Sequence, residues 1–136
     1  MKPKTRPQWC QRRLIGNPFY MGICLSEAAF HAALRHAKVP RADWSAWIRS
    51  PQADATLHTL ESSAGRRTVL VCLRGWEKRC GIEIAGLLVH EAVHIWQQVR
   101  EYVGEDNPSS EFEAYSVQAI AQDLMQGFID AGGVIA

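Results

Sequence analysis

Gly81-IEIAGLLVHEAVHIWQQVREY-Val103 contains no proline and repeats its apolar residues at helical spacing, so it reads as one long helix. Ile84, Leu88, Ala92, Ile95, Trp96 and Val99 gather on one broad side, widened by Val89 and Val93. Glu83, His90, His94, Gln97 and Glu101 form a narrow polar stripe on the other. Residues four apart stand one above the other on a helix, so His90 and His94 can converge on one ion, with Glu91 a step round the rim. His-Glu-x-x-His on a helix is the pattern of a zinc site in which the glutamate serves as general base. The plainer alternative is a solvated face that happens to carry histidines.

The rest of the chain supplies a frame for that helix. With 136 residues and 47% hydrophobic residues, one domain with a single core is expected. Asn17-Pro18 marks a turn, Phe19 to Leu25 reads as a short strand, and Ser26 caps a helix from about Glu27 to Lys38. Its face is Ala29, Phe30, Ala33, Leu34 and Ala37, which puts His31 and His36 at the surface. Arg41 to Arg49 reads as a short helix presenting Trp44, Trp47 and Ile48 as core or groove wall. Ala55-TLHTL-Glu61 and Arg67-TVLVCL-Arg74, joined through Gly65, read as a β-hairpin. The second strand is apolar at every position from Val69 to Leu73, which implies cover on both faces. His58 alternates away from Leu57, which suits a polar contact on the sheet surface better than ligation. Asn107 as N-cap and Pro108 at the first position open a last helix to about Ile129.

A net charge of +1 argues against wholesale nucleic-acid binding. Lys2, Lys4, Arg6, Arg12 and Arg13 nevertheless give the first thirteen residues a basic bias, read as a flexible arm with Pro3 and Pro7, and a DNA-associated role for that arm is a rival reading. The four cysteines form no Cys-x-x-Cys pair and no disulfide framework, so a reducing, cytoplasmic setting is expected. No apolar run approaches the ~20 residues of a membrane span, and the N-terminus lacks a secretory pattern.

A catalytic zinc takes three protein ligands plus water. His94 is the last histidine, so the third ligand should be an acid. On the final helix Glu113 shares the direction of Val117, Ile120 and Leu124, whereas Glu111 falls beside Gln118 and Gln122 on the wet side. A carboxylate facing a core costs several kcal/mol unless a metal or a donor satisfies it. The alternatives are a capping box, with Ser110 as N-cap and Glu113 folding back on it, or ligation by Glu111 or another acid.

With these residues the chain resembles the gluzincin type of zinc metallopeptidase, in its minimal bacterial and phage-encoded versions. His90, Glu91 and His94 match that family's His-Glu-x-x-His, and Glu113 in Glu113-Ala114-Tyr115 matches its downstream glutamate. The resemblance covers about Ile82 to Phe128. It implies an α+β, zincin-like domain over residues 1–136, with a small antiparallel sheet packed on the motif helix and a second helix bearing the third ligand. It further implies zinc held by His90, His94 and Glu113, and peptide hydrolysis with Glu91 as base. Tyr115 or Tyr102 is a candidate donor to the oxyanion, and a protein or peptide substrate adding to a sheet edge is the expected partner. Thermolysin-like members carry an aspartate four residues after the ligand glutamate; Val117 stands there in this chain. That departure keeps a non-catalytic zinc protein as a further rival.

Overall fold

The computed structural model describes residues 5–14, 16–61 and 65–135. Four strands and three helices follow one another: β1 (Gln8–Trp9), β2 (Tyr20–Cys24), α1 (Glu27–His36), β3 (Ala55–Glu61), β4 (Arg67–Leu73), α2 (Gly81–Val103) and α3 (Ser110–Asp130). The strands form one sheet in the order β1-β2-β4-β3. The result is a small α+β domain.

β4 explains the layering. Its alternate residues enter two separate cores, Val69, Val71 and Leu73 on one face and Leu70 and Cys72 on the other. On the first face lie α2 and α3, whose Ile84, Leu88, Ile95, Ile120, Leu124 and Phe128 are almost wholly excluded from water. Each such side chain stabilises the fold by about 1.5–3 kcal/mol. On the second face lies α1, through Ala29, Phe30, Ala33 and Leu34, with Trp44, Trp47 and Ile48 packed beside it. Ser26 caps α1 by accepting from the Ala29 N–H at 3.1 Å. Gly104, at φ 74°, takes the left-handed conformation that ends α2.

Three expectations are corrected. The sheet is mixed rather than antiparallel, because β2 runs parallel to β4, in register from Tyr20↔Thr68 to Cys24↔Cys72. A parallel neighbour requires a crossover of a dozen or more residues, and α1 lies within that connection. Arg41 to Arg49 is not a helix beyond a 3-10 turn at Arg41–Asp43; the tryptophans are placed by packing instead of by helical phase. The basic N-terminal stretch is not a free arm where it is described. β1 pairs with β2, and Arg13 grips Asp123 of α3 through its backbone N–H at 2.8 Å and its guanidinium at 2.7 Å. Asp123 is wholly buried, and burial pushes its carboxyl up while Arg13 pulls it back down. Lys2, Pro3 and Lys4 lie outside the described residues.

Candidate metal centre

α2 presents its polar stripe to a cleft of about 550 Å³ whose walls include His90, Glu91, His94 and Glu101 on one side and Arg49, Thr56 and Leu57 on the other. One turn of helix separates the two imidazoles, whose ring centroids stand 4.9 Å apart in an edge-to-face arrangement. Both histidines are exposed. His94 Nδ1 lies 3.1 Å from Oε1 of Gln97, one turn further along. An amide oxygen only accepts, so the contact suits the neutral tautomer with its proton on Nδ1, in which the Nε2 lone pair is left for a ligand. Outer partners of this kind orient metal-binding imidazoles.

Glu91 is different. It lies one residue round from His90, where the polar stripe meets the sheet, and is only 6% exposed. Burial raises its pKa, while the neighbouring His90 and His94 pull it back. A carboxylate in that environment has a stronger hold on a proton than one in water.

The facing wall is an edge of the sheet. β3 pairs with β4 on one side only and closes the strand order. Thr59 Oγ1 donates to Gln98 Oε1 of α2 at 3.0 Å, tying the strand to the helix below it. The segment before β3 is pinned as well. The Arg74 guanidinium donates to the carbonyls of Pro51, at 2.9 Å, and Ala53, Arg79 pairs with Asp54, and Thr56 Oγ1 accepts from the Arg49 N–H.

The acids and tyrosines of α3 and its approach lie elsewhere. α3 begins at Ser110 with Ser109 as N-cap, accepting from the Phe112 N–H at 3.2 Å, so the third helical position is Phe112 and Glu113 takes no part in a capping box. Glu113 does turn inward and is half-buried, but Oε2 accepts from the Trp96 indole N–H at 2.9 Å. Trp96 belongs to the opposite side of α2, and Glu113 does not line the cleft. Among the described residues no group of three or more His, Cys, Asp and Glu stands close enough to hold a metal ion. Glu111 is exposed, as its helical phase predicts. Tyr115 is 66% exposed, and Tyr102 stacks edge-on against Phe19 at 5.3 Å; neither lines the cleft. Val117 is half-buried against the core and offers His90 no acid.

The remaining histidines do not line the cleft. His58 is buried, with Nε2 2.9 Å from the Trp47 carbonyl and Nδ1 3.4 Å from Ser45 Oγ. Burial lowers its pKa. His31 stacks on Trp44 at 4.9 Å and His36 on Trp9 at 5.6 Å. All four cysteines are free thiols. No helix among the described residues is long and apolar enough to cross a membrane.

The nitrogen donors therefore fit one side of a zinc site: two adjacent imidazoles, one held by Gln97, opening on space. The carboxylate side does not stand with them, because Glu113 is occupied by Trp96. Sequence reading missed Gln97 as an orienting partner, although its place three residues after His94 on the polar stripe was the available signal. The Arg49–Leu57 wall had no local signal, being placed by tertiary pairing. Compared with protein-family models, with curated proteins and with solved structures, the chain finds no match.

Proposed function

We propose that the cleft is the active site of a zinc-dependent hydrolase acting on an extended peptide. The observation that carries this reading is Glu91: a buried carboxylate with raised proton affinity, set beside two imidazoles and opposite an edge strand. In this reading His90 and His94 would hold zinc, and Glu113 would be the third donor only if metal binding draws its carboxylate off the Trp96 indole and round to the cleft side of α2. When bound, zinc would lower the pKa of a water to about 7 and polarise a carbonyl.

The chain's own residues do the rest. Glu91 takes the proton of the attacking water on its carboxylate and returns it to the departing amine. Gln97 keeps His94 turned outward. The open backbone groups of β3 pair with a substrate strand, which lies across the cleft above the histidines. Arg74 and Arg79 hold the entrance in shape by fixing the segment from Pro51 to Asp54.

The test is digestion of an unstructured protein by the purified chain, first stripped with a chelator and then given stoichiometric zinc. Hydrolysis should disappear and return. Hydrolysis unaffected by removing metal overturns the reading. The Trp96–Glu113 bond favours one second reading, a metal-binding protein without catalysis, in which His90 and His94 hold an ion alone. That version binds zinc and hydrolyses nothing, and its affinity is indifferent to Glu113→Ala.

A further inference from the structure

The sheet face that carries α1 is covered only in part. Alternation along β2 directs Tyr20, Gly22 and Cys24 to that face, and α1 closes over the Cys24 end together with Leu70 and Cys72. At the other end two aromatic rings stay open to water: Trp9 is 40% and Tyr20 42% exposed. Trp9 pairs with Gly22 across the strands, and the indole lies against that glycine so closely that an added Cβ would meet the ring at 3.0 Å. The absence of a side chain at Gly22 is what lets the indole lie against the sheet. Tyr20 stands beside Thr68 of β4, and the two aromatics share a groove with His36, Arg66 and Thr68.

The charge around this groove is mainly positive. The Arg12 guanidinium lies over one face of the Tyr20 ring, 4.6 Å from its centroid, and Lys38 and Arg66 line the groove. Its one lining acid, Glu61, is paired with Arg67 at 3.5 Å.

Aromatic faces on an open strand surface, rimmed by cations, match single-stranded nucleic acid. Unpaired bases stack on aromatic rings whatever their sequence, and the backbone follows the positive charge. An acidic peptide would use the cations but would leave the aromatic platform without a purpose. We infer that this groove binds single-stranded nucleic acid, with bases stacked on Trp9 and Tyr20 and phosphates met by Arg12 and Lys38. The site lies apart from the histidine cleft, and the inference stands whether or not the cleft hydrolyses peptides.

Fluorescence anisotropy of a labelled oligothymidylate of about twelve nucleotides, titrated with the full chain, tests it; that length matches the site sizes of other single-strand binders. Binding should weaken with salt at a log–log slope near −1.4, from about two phosphate contacts on a single strand. Tyr20→Ala should cost about tenfold in affinity while keeping the charge and the melting temperature. Lys38→Glu should cost more at low salt than at high. Glu91→Gln should bind as wild type. The inference is overturned by no binding at low salt, by an equal affinity for duplex of the same length, or by Tyr20→Ala binding unchanged. Tighter binding of a polyglutamate peptide, lost in Lys38→Glu but not in Tyr20→Ala, would make the groove an acidic-peptide site instead.

Discussion

The two long sides of α2 meet acids under opposite conditions. On the cleft side, His90, Glu91 and His94 face open space across from a strand edge. On the other, Trp96, Ile95 and Val99 press against the core shared with α3, and the Glu113 carboxylate already holds the indole N–H. Inward direction alone does not make a carboxylate a ligand. What matters is whether a protein donor reaches it first: Glu113 has one, whereas Glu91 sits where burial raises its proton affinity. The cleft side should therefore answer to changes in chemistry and the packed side to changes in stability.

The largest effect should come from the cleft. His94→Ala should lower zinc affinity by more than the ~10–100-fold typical of losing an outer partner, with the melting temperature of the metal-free protein near wild type. Isothermal titration beside a thermal melt checks both, and a large drop in apo stability would show that the histidines are structural. The packed side should behave in reverse. Arg13→Ala leaves the buried Asp123 without its cation and with only the backbone N–H of position 13, which should cost about 2–3 kcal/mol, or up to roughly 10 °C, without altering zinc affinity.

Trp96→Phe joins the two sides. It removes the donor on Glu113, so if that carboxylate becomes a ligand, zinc should bind about tenfold tighter while the apo protein loses about 1.5 kcal/mol. Unchanged zinc affinity would confine Glu113 to the α2–α3 seam. The smallest effect contrasts His58 with the cleft histidines. Its folded pKa lies below its unfolded value, so the unfolded chain binds the extra proton and stability is lost as pH falls below about 6.5. Each pH unit costs at most about 1.4 kcal/mol. Denaturant melts at pH 7 and 5.5 should show a shallower loss in His58→Gln than in wild type.

These contrasts also mark what the amino-acid order could reveal. α2, α1 and the β3–β4 hairpin were legible because their apolar spacing is local, and the double cover of β4 followed from its unbroken apolar run. The direction of Glu113 was legible too, since helical phase sets it. The identity of its partner was not, because phase states where a side chain points and not whether Trp96, seventeen residues earlier, arrives before a metal. β1 is two residues long and carries no alternation, so its place at the sheet edge depends on pairing with β2. Arg13 and Asp123 lie 110 residues apart, a separation no local pattern reports. The same holds for the parallel β2–β4 pairing and for the cleft wall at Arg49 to Leu57.

The central claim is that Glu91 is the base of a metal-dependent hydrolysis, and the most direct measurement compares wild type with Glu91→Gln, both loaded with zinc, on one unstructured protein substrate. Glutamine keeps the size of the side chain and is not among the proposed ligands, but it cannot accept the proton. Both proteins should hold about one zinc per chain and melt alike, while the variant's hydrolysis rate falls by about 10²–10⁴-fold. Equal rates from the two zinc-loaded proteins would contradict the account.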